Sequence, residues 1–326
     1  MRCWTLLLAA CAGGEAVDTA TPSPTSSTAD PTITWDRYAT IEPNFSMVDE
    51  DFEGRRLTTA IPDDPVALLF VFHGANGDVT TVTQIEWIEL YDLLVPQGVG
   101  LVLTVSLDAE GGMWDQSESP DNPDFQRLVR VRDHVIETSA ATADTPVLAL
   151  GFSHGAGFAP VFATLGHDAG WDVRGFDAHN SPSIHPMAVP GFFVSAENDE
   201  QSGTPDRVGE VAAECEAWTG EDCPHRVGHE ILLDPRRFAR LPAYGEAASQ
   251  AIFDELVGMG FVDDSGARLV DLQAEGVDAL MDAYIRTSQL PSPTLPPTQL
   301  RVVWATHRCS SEHAVEEAAW LLGRVR

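Results

Sequence analysis

The chain has 326 residues, 44% of them hydrophobic, enough to bury a large core and to exclude wholesale disorder. Lys and Arg total 19 against 50 Asp and Glu, a formal net charge of −31 that repels phosphate backbones and argues against a nucleic-acid partner. Every basic residue is Arg, so a Walker-type phosphate loop, a Schiff-base lysine and a Ser–Lys dyad are excluded together.

In chain order, Met1-Arg2 and the apolar run 4–10 read as an export signal, far shorter than the roughly 20 residues that span a bilayer. The run ends Leu8-Ala9-Ala10-Cys11, which resembles the lipobox of bacterial lipoproteins. That resemblance implies a signal peptide over 1–11, lipidation of Cys11 and an extracytoplasmic chain that touches the membrane through its lipid alone. An ordinary signal peptide, with secretion, and a chance apolar start are the alternatives. Residues 12–33, rich in Ala, Thr, Ser and Pro, read as a flexible tether, and 34–326 as the folded domain.

Within that domain short apolar runs alternate with helical patterns. Residues 52–61 look like a half-exposed outer strand, and the continuous apolar run 66–72 like a strand buried on both faces. A helix is predicted over 81–95, a buried strand over 99–105, a helix over 125–136, a strand over 147–150 and a helix over 155–165. Strands follow at 173–176 and 192–195, a last strand at 300–305, and an amphipathic helix over 312–322. The alternation predicts an α/β fold, a mainly parallel sheet flanked by helices. Between 200 and 298 it is lost, and helical stretches (246–257, 277–285) and a Pro-rich segment (291–297) suggest a mostly helical insertion before the last strand.

Gly151-Phe152-Ser153-His154-Gly155 follows the strand at 147–150 and opens a small-residue helix. A sharp strand-to-helix turn holds such a Ser in a strained conformation with its hydroxyl exposed, and flanking glycines let neighbouring elements close in. The N–H of His154, at the helix start, then faces a developing oxyanion. The strand at 66–72 ends in a second small-residue turn, His73-Gly74-Ala75-Asn76-Gly77. His73, at the end of a buried strand, reads as a structural hydrogen-bonding residue rather than a catalytic one.

In this order and context the two motifs resemble the α/β-hydrolase superfamily, over the chain from about residue 52 to its end apart from the insertion. The His73-Gly74 turn, Met113-Trp114-Asp115 and the segment 121–136 further resemble secreted esterases of the polyhydroxybutyrate-depolymerase and feruloyl-esterase type. The superfamily resemblance implies Ser153 as nucleophile, the N–H of Ala75 as second oxyanion donor, and the order Ser, acid, His. For the acid, Asp199 fits the strand–turn–Asp pattern best, Glu197 is the runner-up, and an ordinary solvated acidic loop is the alternative to both. For the base, His307 lies just past the 300–305 run; His313 reads as a first-turn helical residue, and His229 has a common spacing but no preceding buried strand.

The implied chemistry is two-step acyl transfer by Ser153, His307 and Asp199 on a small or polymeric ester, in a monomer that needs no metal or organic cofactor. A serine peptidase of the same fold and a non-catalytic surface binding lipoprotein are the rivals. Among Cys3, Cys11, Cys215, Cys223 and Cys309 no paired Cys-x-x-Cys spacing suggests a zinc site. Cys215 and Cys223 are close enough to bridge in an oxidising compartment; Cys309 is expected either to pair with a cysteine of the insertion or to stay a buried thiol. Met113-Trp114 is expected to line a pocket or to be core, and Phe238, Tyr244 and Phe253 to form the insertion's own core or to cover the site.

Overall fold

The computed structural model describes residues 43–108, 110–181, 187–201, 203–288 and 295–326. The predicted signal 1–11 with Cys11, the tether 12–33 and the start of the domain at 34 lie outside the described residues.

Eight strands form one sheet: β1 (Val48–Phe52), β2 (Arg55–Ala60), β3 (Ala67–Phe72), β4 (Val99–Thr104), β5 (Val147–Phe152), β6 (Val173–His179), β7 (Gly191–Ala196) and β8 (His225–Gly228). Their spatial order is β1-β2-β4-β3-β5-β6-β7-β8. β1, β2 and β4 pair antiparallel, and every pairing from β4 to β8 is parallel. What reads as one outer strand over 52–61 is a hairpin. Glu53 and Gly54 at its turn have φ of 55° and 74°, the two positive values that a tight primed turn requires.

The helices are α1 (Ile85–Leu94), α2 (Pro123–Thr138), α3 (His154–Asp168), α4 (Pro205–Thr219), α5 (Glu246–Gly258), α6 (Leu272–Glu275), α7 (Val277–Thr287), α8 (Leu295–Val303) and α9 (Ala314–Val325). The period-2 geometry of β3 shows why its sequence is apolar throughout. Leu68, Phe70 and Phe72 face the layer of α2, α3 and α4, while Ala67, Leu69 and Val71 face the layer of α1 and α9. All six are fully buried. Strand order, antiparallel edge and helices on both faces together make this the α/β-hydrolase fold.

Two expectations are corrected. The apolar run 300–305 is not a strand: it lies in α8 and the turn after it, and Leu300, Val303 and Trp304 are buried in a helical cluster with Phe238, Tyr244, Phe253 and Tyr284. A short apolar run is buried equally well by either element, and Pro296 and Pro297, which look like a breaker, sit in the first turn where proline is tolerated. The extra helical region also starts later than 200, because α4 and β8 are part of the central layers. β8, a half-exposed edge strand of four residues, has too little apolar signal to be read.

The helical cluster is fastened to α1 by buried polar groups. Glu86 accepts a hydrogen bond from Gln299 at 2.9 Å and faces Arg237 at 3.4 Å, while Glu89 pairs with Arg240 at 2.6 Å. Phe238, Tyr244 and Phe253 are the core of this region. Cys215 and Cys223 form a disulfide between the end of α4 and the approach to β8, and Cys309 is a buried free thiol.

Candidate active site

β3 has β4 on one side and β5 on the other, so successive strands depart in opposite directions from it, and the loops beyond the carboxyl ends of β3 and β5 border the resulting crevice. β5 ends at Phe152 and α3 begins at His154, which leaves Ser153 alone to turn the chain. Its φ of 52° and ψ of −120° are costly for a residue with a side chain. The turn is held by the Ser153 N–H donating to His179 O at 2.8 Å and the Gly157 N–H donating to Ser153 O at 3.1 Å. Both flanking glycines are steric necessities. A Cβ on Gly151 would lie 2.2 Å from Gly155 O, and one on Gly155 would lie 2.3 Å from Phe72 O. Three backbones are thus pressed together and the Ser153 side chain is left partly exposed.

The structure brings Ser153, His307 and Asp199 into one hydrogen-bonded chain. His307 Nδ1 lies 2.7 Å from Asp199 Oδ2, and His307 Nε2 lies 2.7 Å from Ser153 Oγ. With Nδ1–H donating to the carboxylate, Nε2 is left to accept the serine hydroxyl proton. Asp199 is 3% exposed, and its other oxygen accepts the Gln201 N–H at 2.9 Å. Such a chain can move the hydroxyl proton to the imidazole and hold the resulting cation against a buried carboxylate.

The turn that carries the imidazole is tied to the acid's turn by one asparagine and to the end of β6 by another, both missed by sequence reasoning. Asn198 donates its N–H to Ala305 O at 2.8 Å and its side-chain amide to Trp304 O at 2.8 Å. Asn180, at the end of β6, donates its side-chain amide to Arg308 O at 3.0 Å. Ala305 has a φ of 46°, which throws His307 back toward β5 after α8 ends. Neither asparagine carries a sequence signal beyond lying one residue past a strand or beside an acid.

The two expected oxyanion donors lie on the turns that follow β5 and β3. The His154 N–H belongs to the first turn of α3, where no intrahelical acceptor exists. Gly74 abuts the elbow, since a Cβ on it would stand 3.2 Å from Ser153 Cβ, and Ala75, the next residue, is exposed. That turn is fixed by His73: Nδ1–H donates to Gly74 O at 2.8 Å and Nε2 accepts the Ser106 N–H at 3.3 Å. Burial holds the His73 imidazole below its ordinary pKa. Trp114 donates Nε1–H to His73 O at 3.0 Å and stacks on Phe158, so it is core, whereas Met113 is exposed.

The remaining candidates lie elsewhere. Glu197 and His229 face each other at 3.4 Å on the surface, and β8, the strand before His229, is half exposed rather than buried. His313 Nε2–H donates to Val227 O at 3.1 Å. A second Ser–His contact, Ser195 Oγ to His225 Nε2 at 2.8 Å, joins β7 to β8, but Ser195 is wholly buried in mid-strand and no carboxylate bonds His225 among the described residues.

No protein-family model matches the chain, and no curated protein matches it in sequence. Among solved structures it is similar to an esterase of Pyrococcus furiosus (11% identity over 65% of this chain and 92% of that one, TM-score 0.42). Other similar structures are an esterase of Rhizomucor miehei (14% identity, 66% and 84% covered, TM-score 0.44) and an acetyl xylan esterase of Aspergillus awamori (12% identity, 54% and 81% covered, TM-score 0.41).

Proposed function

We propose that this chain is a serine hydrolase that cleaves carboxylic esters. The carrying observation is the unbroken Ser153–His307–Asp199 chain of hydrogen bonds at a strained strand-to-helix elbow. His307 takes the Ser153 proton as Oγ attacks the ester carbonyl, and the N–H groups of His154 and Ala75 receive the oxyanion, at a few kcal/mol per donor. His307 then protonates the departing alcohol, and water delivered through the same base releases the acyl group. Esters of the type cleaved by polyhydroxybutyrate depolymerases and feruloyl esterases are the substrates that the sequence resemblance favours. The Cys215–Cys223 disulfide favours an extracytoplasmic enzyme, and the lipobox-like Cys11 favours an envelope anchor.

A fluorophosphonate probe and a panel of p-nitrophenyl esters test the reading. The folded chain labels at Ser153 and turns over at least one ester, and Ser153→Ala loses both while melting near the wild-type temperature. Turnover that survives in Ser153→Ala removes the nucleophile from this reading.

A further inference from the structure

Behind the elbow, on the α1 and α9 face of the sheet, a second group of ionisable residues plays no part in the proposed reaction. Asp177 and His179 come from β6 and Glu317 from α9, and none is more than 1% exposed. The His179 Nε2 atom lies 3.3 Å from Asp177 Oδ1 and 3.3 Å from Glu317 Oε2. One donor atom from each residue falls within 4.8 Å of the other two.

These atoms converge at ion-pair distance, but not in aligned hydrogen bonds. Both Asp177 oxygens, His179 Nε2 and Glu317 Oε1 are buried with no hydrogen-bond partner. Buried polar atoms are otherwise nearly always bonded, and four unbonded ones around one point mark a missing partner. Among the described residues no Arg pairs with Asp177 or Glu317, so two carboxylates meet one imidazole in the interior. The opposite ring nitrogen is already engaged, with His179 Nδ1 3.7 Å from the Cys309 thiol and Trp87 against the ring, which aims Nε2 at the carboxylates.

We propose that Asp177, His179 and Glu317 bind one divalent transition-metal ion of the zinc class, which ties the end of β6 to α9. Two ligand atoms that each lie about 2.1 Å from a tetrahedral zinc ion stand about 3.4 Å apart, close to the 3.3 Å that separates His179 Nε2 from each carboxylate. A dication neutralises two carboxylates and leaves the imidazole neutral, the form that ligates. Three ligands that include a ring nitrogen suit zinc rather than calcium or magnesium, which gather six or more oxygens. Cysteine spacing says nothing of such a site, because its ligands lie two residues apart on a strand and then 138 positions away on the last helix (179 to 317). The ion fastens the strand whose His179 carbonyl anchors the Ser153 N–H to the helix that follows the His307 loop. Its role is structural, and the proposal is independent of the hydrolase reading.

The test refolds the full chain, disulfide intact, from denaturant in excess Zn²⁺ or in EDTA, and then dialyses both exhaustively. The zinc-refolded protein retains about one zinc per chain by mass spectrometry and melts about 5 °C or more above the EDTA-refolded protein. Glu317→Gln, which keeps shape and removes a charged ligand, retains little zinc and melts alike in both. Should that variant fail to fold, wild type refolded in Co²⁺ supplies the same answer through visible ligand-field absorption. Wild type that keeps no zinc and melts identically in both conditions overturns the proposal. So does a folded Glu317→Gln that holds as much zinc as wild type, since the metal then sits on surface histidines.

Discussion

Asn198 holds Ala305 by its backbone and Trp304 by its side chain, so the turn that bears Asp199 and the turn that bears His307 are one mechanical unit. The acid and the base come from segments about 100 residues apart in sequence, and the Asn198 bonds reinforce the Asp199–His307 bond that joins them. Replacing the amide frees the helical region's last turn to drift. Asn198→Ala is expected to lower kcat/KM for an ester by about 10- to 100-fold, chiefly in kcat, at a stability cost of about 1–2 kcal/mol. Asn198→Asp, which keeps the backbone bond but supplies no donor to Trp304, should resemble it; wild-type kcat in both would show that the unit is held elsewhere.

The three histidines weighed as base separate cleanly by substitution. His307→Ala is expected to reduce kcat by roughly 10⁴-fold or more, the scale seen when a triad base is removed. His313→Ala loses one bond to Val227 O, and His229→Ala one exposed contact with Glu197, so each should leave kcat within about threefold of wild type. Steady-state kinetics on a single p-nitrophenyl ester decides it.

Glycine position, rather than glycine number, sets the steric demand. A methyl group on Gly155 meets backbone oxygens of β3 that cannot move aside, and Gly155→Ala is expected to cost about 3 kcal/mol or to prevent folding. Gly258, at the end of α5, has open space around its Cβ direction and ordinary φ. Gly258→Ala should gain about 0.5–1 kcal/mol in chemical denaturation.

Acidification should weaken the turn that His73 fixes. The folded state holds His73 below its ordinary pKa because the ring is buried. As pH falls below the ordinary imidazole value the unfolded chain takes up a proton that the folded chain refuses, so this contribution to stability is present at neutral pH and is lost on acidification. The difference in melting temperature between wild type and His73→Gln should therefore be larger at pH 8 than at pH 5. A difference that grows toward pH 5 would reverse the sign and the assignment.

The Cys215–Cys223 bridge closes a short loop, with a separation of 8 residues, at the edge of the sheet away from the elbow. Replacing both cysteines by Ala is expected to lower unfolding free energy by about 2.5 kcal/mol through the unfolded chain, with ester turnover unchanged. Equilibrium denaturation beside a turnover assay checks both halves.

Much of the centre of the fold was legible because each buried parallel strand must be apolar on both faces. The run 67–72 and its neighbours at 99–104 and 147–152 stand out for that reason. The periphery was not. β8 is half exposed and four residues long, and α8 is an apolar run whose burial serves helix and strand equally. The hairpin turn at Glu53-Gly54 was hidden inside a single strand-like pattern because its polar residues continue the outer strand's character.

By itself the sequence determined the elbow: two glycines around one serine, after an apolar strand, admit few other backbones, and local sterics act within five residues. It also narrowed the acid and the base to short loops. Only the tertiary structure shows that Asp199, not Glu197, meets His307 and that His307 meets Ser153, because hydrogen bonding depends on distances of a few ångströms between segments that spacing along the chain does not encode. The meeting of Asp177, His179 and Glu317 is of the same kind, a product of how β6 packs on α9.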